Sequence, residues 1–336
     1  MDVQLLTVTP NALDVLLYTK NTRLTMNAAG LGEVAAWPAE RKEKELRYMR
    51  NTIQSSWEFV DYVFAITGVT RAFTHQLVRH RVGTSFAQQA QRVVNMEGFF
   101  YLATGEELNM SLGEVSTRDA SIRDGWARAG ENPSNIYDET MQRIDSNYNH
   151  LLELGVKPQD ARGVLPTNIC TNIIFKANLR TLHDMALKRL CVKAQGEFQD
   201  VFRLLVDRVA EVHPWAEDFL RVQCAWNGTC LFPSLPVADC HVKPHVYNPE
   251  TTRSYGADAR EAAGFPGADR DSAVRLYTTE EIYHLHRSKR TEIQPRVAGT
   301  PPLKCSECGY VGAGTTYAAG DPCPEGRVGS CSGTLE

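Results

Sequence analysis

Apolar positions along the first 232 residues follow two different periods. Tyr62-Val63-Phe64-Ala65-Ile66 is a short, nearly continuous apolar run of the kind a buried strand uses. Arg71 to Arg81 instead spaces Phe73, Leu77 and Val78 along one side of a helix, and Gly83-Thr84 supplies a stop signal. A second, longer helical pattern is read from Ile169 to Leu190, with Ile173, Ile174, Ala177, Leu182, Met185 and Ala186 available for burial. Ser55-Ser56-Trp57-Glu58 has the form of a capping box ahead of an apolar run, which gives Glu58 a capping role.

Past residue 232 this patterning fades. Residues 233 to 300 carry Pro233, Pro236, Pro244, Pro249, Pro266 and Pro295 among polar stretches, with one short helical pattern from Thr279 to Arg287. That composition suits a wrapping arm or linker. Residues 301 to 336 are rich in glycine and cysteine, which favours tight turns over a hydrophobic core. No internal repeat is present.

Composition narrows the class of protein. The chain has 336 residues, 43% hydrophobic and 23% charged, enough apolar side chain for a core of one large domain or two ordinary ones. Thirty-six basic residues against forty acidic ones give a net charge of −4, so binding to a polyanion is not expected from overall charge. The start, Met1-Asp2-Val3-Gln4, lacks the basic region of a signal peptide, and no stretch of about 18 apolar residues predicts a membrane span. Of nine cysteines, Cys170, Cys191, Cys224, Cys230 and Cys240 show no disulfide-framework spacing, so a reducing cytoplasm is the expected location.

Local charge is more informative than the total. Tyr62 to Met96 contains no Asp or Glu, yet holds Arg71, His75, Arg79, His80, Arg81 and Arg92. Ala161 to His183 is also acid-free and holds Arg162, Lys176 and Arg180, with Lys188, Arg189 and Lys193 close behind. Any one of these cations could pair with a carboxylate from elsewhere in the fold or line a solvated face. The adjacent Arg79-His80-Arg81 triplet is harder to explain that way, because its members repel one another unless an anion lies among them. An anion site assembled from both stretches is therefore expected.

These residues also carry a family resemblance. Gln76-Leu77-Val78-Arg79-His80-Arg81, followed by Ser85, Gln88 and Arg92, resembles the signature of the flavin-dependent thymidylate synthases. Ala161-Arg162-Gly163-Val164-Leu165-Pro166, then Asn178-Leu179-Arg180-Thr181-Leu182, then Arg189 and Ala194-Gln195-Gly196-Glu197 resemble that family's later blocks, in the same order. The likeness covers roughly residues 1 to 230.

The resemblance implies an α+β fold with helices packed on a small sheet, and a homotetramer with active sites between subunits. It also implies reductive methylation of dUMP to dTMP, with FAD as cofactor, methylenetetrahydrofolate as carbon donor and NADPH as reductant. By position, Arg79, His80, Arg81, Asn178 and Arg180 would contact flavin, with Glu58 and Lys193 on the cofactor's side. Gln76, Gln88, Ala90, Arg92, Arg162 and Arg189 would contact the nucleotide. Aligning Arg92 with the family arginine needs one extra residue near Gly83-Thr84. Ala90 then stands where the family has serine, Gln88 where it has a nucleotide-binding Glu, and Phe59 and Lys193 where it often has histidine. These departures keep a dCMP methylase or a hydroxymethylase open beside dUMP methylation.

The reaction this resemblance implies asks for one particular role. Adding one carbon to C5 of a pyrimidine builds negative charge on the C4 carbonyl or ring, which a fixed guanidinium in a water-poor site stabilises, and Arg189 is the candidate. Arg81 or Arg180 suits the anionic edge of a reduced flavin. Cys170 and Cys191 lack the context of an activated thiol and read as core residues.

In the tail, Cys305-Ser306-Glu307-Cys308 is a CxxC knuckle, followed by Cys323 and Cys331. Four thiolates in a glycine-rich segment predict a structural zinc in a ribbon-like extension, with disulfides or free thiols as the alternative. The resulting division is a catalytic domain over 1–232, an arm over 233–300 and a ribbon over 301–336. A zinc-ribbon nucleic-acid-binding protein is the reading from another class. Only Lys304 and Arg327 are basic in the tail, so a phosphate-binding face is not expected there.

Overall fold

A computed structural model describes residues 1–20, 27–103, 133–228, 230, 232, 240, 283, 296–298, 303–304 and 311–312. In chain order the elements are β1 (Asp2–Val8), α1 (Ala12–Lys20), α2 (Ala28–Ala35), α3 (Ala39–Thr52), a 3-10 turn (Ser55–Phe59), β2 (Asp61–Thr70), α4 (Arg71–Leu77), β3 (Thr84–Gln88) and β4 (Phe100–Tyr101). There follow α5 (Pro133–Glu153), α6 (Pro158–Ala161), a 3-10 turn (Arg162–Val164), β5 (Cys170–Asn178), α7 (Leu179–Arg189), α8 (Gly196–Val212), a 3-10 turn (Pro214–Phe219), α9 (Gln223–Asn227), β6 (Arg296–Val297), β7 (Leu303–Lys304) and β8 (Val311–Gly312). This is an α+β fold, and no helix among the described residues is long and apolar enough to cross a membrane.

Strands β1, β2, β5 and β3 form one antiparallel sheet in that order. The apolar run at Tyr62 lies inside β2, whose residues 61 to 66 alternate half-buried and buried and place Tyr62, Phe64 and Ile66 inward. Register puts Phe64 and Phe86 on either side of Phe175, with ring centroids 6.2 and 5.5 Å away, so aromatic stacking ties three strands together. Helix α8 covers the sheet at β1 and β2, contributing Phe198, Val201, Phe202, Leu205 and Val209 to the core, and Arg208 Nε donates to the Val3 carbonyl at 2.9 Å.

Three local expectations need correction. The pattern from Ile169 to Leu190 is not one helix. It is β5 followed by α7, with Asn178 between them accepting from Thr181 N at 2.9 Å as the N-cap. Thr171, Ile173, Phe175 and Ala177 are buried at every second position, and that strand period is the competing signal the helical reading passed over. The helix from Arg71 stops at Leu77, with 78–83 forming turns before β3. Ser55–Phe59 is a 3-10 turn without a side-chain cap, so Glu58 does not close a capping box; it pairs with Arg180 instead.

A second core gathers Met96, Phe99, Tyr101, Met141, Tyr148, Ala161 and Ile169 around α5. Late residues reach both cores. Ala298 is buried in the second one and donates its N–H to the Phe99 carbonyl at 2.8 Å, while β6 pairs with β4. Cys240 and Tyr283 are buried in the first. The Tyr283 hydroxyl bonds Glu217, and the Arg221 guanidinium lies 4.5 Å from its ring centroid. Cys305, Cys308, Cys323 and Cys331 lie outside the described residues, as does the Thr279–Arg287 helical pattern apart from Tyr283. Strands β7 and β8, on either side of the CxxC segment, pair antiparallel.

Candidate active site

The site is organised around α4. Thr70 caps it, its hydroxyl oxygen accepting from Phe73 N at 3.0 Å. The same hydroxyl donates to Glu197 Oε2 and the Thr70 N–H donates to Glu197 Oε1, both at 2.6 Å. Glu197 is wholly buried; burial pushes its carboxyl pKa up, and the two Thr70 bonds oppose that rise. At the other end of α4, Gln76 donates to the Gln195 side-chain carbonyl. Between them Phe73 packs on Phe198, with centroids 4.8 Å apart. Residues 195 to 198, at the start of α8, thus hold α4 at three points.

From the end of α4 the chain runs antiparallel along α7. Arg189, in the last turn of α7, points Nε and Nη2 at His80 Nε2, 3.4 and 3.3 Å away. At the first turn, Thr181 Oγ1 donates to the Val82 carbonyl at 2.8 Å, and Asn178 N donates to the Gly83 carbonyl at 3.1 Å. Gly83 has φ +69°, and a Cβ there would fall 2.4 Å from Thr181 Oγ1 and 2.5 Å from Asn178 Nδ2. The Thr84 hydroxyl donates to the His80 carbonyl at 2.7 Å, fixing the turn from below.

The predicted cofactor residues fall into three settings. Arg79 and Arg81 are exposed on the turn, and neither forms an ion pair with a carboxylate among the described residues. His80 is half-buried between Arg189 and Phe198, and burial, Arg189 and Lys188 together hold its pKa down at about 4. Asn178 is buried and Arg180 is half-exposed and ion-paired with Glu58. Lys193 is exposed between α7 and α8. Lys176 pairs with Asp61 at 2.8 Å, so two cations of the acid-free stretches do find carboxylates, both supplied by residues 58 to 61.

Of the nucleotide candidates, Gln76 and Gln88 are tied to α4, Gln88 donating to Thr74 Oγ1 at 2.9 Å. Arg162 follows α6, its Nε donating to the Gln159 carbonyl at 3.0 Å. Burial lowers the pKa of the Arg71 guanidinium, and the nearby Arg162 lowers it further. Arg71 in turn donates to the Gln89 carbonyl at 2.8 Å, joining the start of α4 to the chain beyond β3. Ala90 and Arg92 are exposed on that chain, and no polar side-chain contact among the described residues draws Arg92 to the others. The sequence pointed to the cations but missed what positions them: Phe198, Thr70, Glu197 and Thr181. Glu197 carried a usable signal, being a carboxylate at the start of an apolar helix; Phe198 carried none.

The described cysteines are free thiols. Burial, with Glu197 nearby, pushes Cys170 up to about 12, and burial raises Cys191 as well, so neither is poised as a thiolate nucleophile.

A small antiparallel sheet carrying helices, with a cation-bearing turn laid along a cation-bearing helix, is an α+β fold whose positive charge suits anionic ligands. Residues 5–215 match the family model described as "Thymidylate synthase complementing protein", and the chain belongs to that family, the flavin-dependent thymidylate synthases. It is similar to the flavin-dependent thymidylate synthase of Clostridium tetani, 31% identical over 238 residues that cover 68% of this chain and 89% of the relative. The enzymes of that name from Nitratidesulfovibrio vulgaris (29% over 238 residues; 68% and 90% covered) and Pyrococcus furiosus (28% over 231 residues; 63% and 86% covered) are also similar.

Proposed function

We propose that the protein catalyses the FAD-dependent reductive methylation of dUMP to dTMP, with methylenetetrahydrofolate as carbon donor and NADPH as reductant. The observation that carries this reading is the course of residues 79–83 along α7. It brings His80, the middle residue of the triplet, against Arg189 and leaves Arg79 and Arg81 exposed on the same turn, none of the three arginines ion-paired with a carboxylate among the described residues. Unpaired guanidinium groups beside an amide and a buried asparagine suit a pyrophosphate and a phosphorylated pyrimidine. The flavin supplies the hydride when it is bound.

The chain's own residues do the rest. Arg79 and Arg81 hold the anionic cofactor, with Asn178 and Arg180 at its other side and Glu58 keeping Arg180 in place. Gln76, Gln88, Arg92 and Arg162 bind the nucleotide, and Arg189 stabilises charge on the base as the carbon unit is added. The exposure of Arg79, Arg81 and Arg92 suits a site completed by another subunit, as in a cytoplasmic homotetramer. Ala90, without a hydroxyl, favours a second reading in which the pyrimidine is cytosine or the product a hydroxymethyl compound. The experiment is to reconstitute the protein with FAD, supply dUMP or dCMP with methylenetetrahydrofolate and NADPH, and weigh the product. dTMP from dUMP is expected; no product from dUMP defeats the reading. Arg189→Ala is expected to lower kcat about 100-fold or more.

The same reading divides the chain into a catalytic domain (1–232), an arm (233–300) and a zinc-ribbon-like tail (301–336). The antiparallel pairing of β7 with β8 supports the tail, since it brings together the chain on either side of Cys305 and Cys308. Cys305, Cys308, Cys323 and Cys331 would hold one structural zinc. Metal analysis of freshly purified protein is expected to return about one zinc per chain, and its absence ends this part of the proposal.

A further inference from the structure

Arg189 sits in a setting unusual for a half-buried guanidinium. It has no carboxylate partner among the described residues. Its contacts are the Nε2 of His80, at 3.3 and 3.4 Å, and the face of Phe198, whose ring centroid is 4.4 Å from Cζ. A guanidinium only donates, so His80 must present a lone pair at Nε2 and carry its single proton on Nδ1. His80 is fixed by Thr84 at its carbonyl, and Phe198 is fixed by Phe73. The His80 backbone and the Phe198 ring are thus each held in place, and neither Phe198 nor a neutral His80 carries charge.

We propose that His80 is a positioning residue for Arg189: with the Phe198 ring, it orients the guanidinium through Nε2 while leaving its charge undiminished for an anionic ligand. A carboxylate in the same place would hold the arginine equally well but would cancel the field the arginine is there to provide. A protonated imidazole would repel it. The neutral acceptor and the aromatic face are the two kinds of partner that fix a cation without discharging it. Since His80 belongs to the cation triplet, this ties the triplet to the substrate side through Arg189 rather than only to the cofactor. The inference rests on the function proposed above for its kinetic arm, but not for its spectroscopic arm.

The spectroscopic arm follows the histidine ring nitrogens by nuclear magnetic resonance in the full-length protein. His80 is expected to be neutral at pH 6, protonated at Nδ1, and to titrate near 4. Arg189→Met should move that titration upward. An Nε2-protonated His80, or a titration indifferent to Arg189→Met, overturns the proposal whatever the enzyme makes. The kinetic arm compares His80→Phe with His80→Gln, whose amide oxygen replaces the Nε2 lone pair. At saturating flavin, His80→Phe is expected to lose about tenfold in kcat/KM for the nucleotide, the scale of one lost hydrogen bond to a charged group. His80→Gln should recover to within about threefold of wild type. Equal losses in the two variants, or a loss confined to flavin occupancy, refute it. Wild-type protein that makes no dTMP while the resonance results hold counts against the proposed reaction alone.

Discussion

Gly83 lets the cationic turn lie flat on α7, and the requirement is steric. Its φ of +69° is accessible to glycine, and the space a Cβ needs is already filled by Thr181 and Asn178. Gly83→Ala is expected to cost about 2 kcal/mol in urea unfolding and to lower flavin affinity, because the turn must lift away from Thr181 and Asn178 to relieve the contact. His80 supplies a second prediction at this scale. Its folded pKa, near 4, lies below the ordinary value of 6.5, so the folded state binds fewer protons between those values. Stability from this group is complete above pH 6.5 and is lost as pH falls toward 4. Burial lowers His183 and His213 in the same direction. Thermal midpoints should therefore fall with pH across that window, and His80→Gln should make the decline shallower. At the level of single residues the sequence made the cations legible, because an acid-free run of arginines violates ordinary charge balance. It hid their partners: Glu58 and Asp61 lie just before the run, and only the pairing of β2 with β5 shows that they meet Arg180 and Lys176.

Among the elements, β5 and α7 show where periodicity misleads. Ile173 and Ala177 satisfy helical spacing as well as strand spacing, whereas Ile174, expected to be buried, is exposed on the other face of β5; the segment's β-branched residues, with Asn178 as an N-cap, decide in favour of a strand and then a helix. The consequence is positional, since the break at Asn178 puts Arg180 at one end of α7, paired with Glu58, and Arg189 at the other, against His80 of the turn from α4. By contrast β2 was plain in the sequence, because a run from Tyr62 to Ile66 that is buried on one face and paired on both edges needs little but apolar side chains. The position of α4 depends on Thr70 and Glu197, 127 residues apart. Thr70→Ala leaves a buried carboxylate without either hydroxyl partner or cap, and is expected to cost about 2–3 kcal/mol in urea unfolding. Thr70→Ser keeps the oxygen and should restore most of that. A loss of similar size in both variants would mean the methyl group, not the hydroxyl, carries the contact.

Across the whole molecule, the late residues that reach back decide how the catalytic part is closed. Tyr283 is buried and lines a small cavity with Leu190, Val206, Leu220 and Val222, at the end of α7 that carries Arg189. Its ring meets the Arg221 guanidinium and its hydroxyl bonds Glu217, so three separate effects hold one residue: burial of an aromatic face, a cation beside the ring and a hydrogen bond. Two variants separate them. Tyr283→Phe keeps the ring and its cation and loses only the hydroxyl, which is expected to cost about 1 kcal/mol. Tyr283→Ala exposes Leu190 and Leu220 and should cost about 3 kcal/mol. Because Leu190 follows Arg189 directly, the larger cavity should also loosen the guanidinium, so Tyr283→Ala is expected to raise KM for the nucleotide while Tyr283→Phe leaves it alone. If both variants unfold and turn over like wild type, the residues beyond 232 are not part of the enclosure around α7, and the arm acts independently of the site.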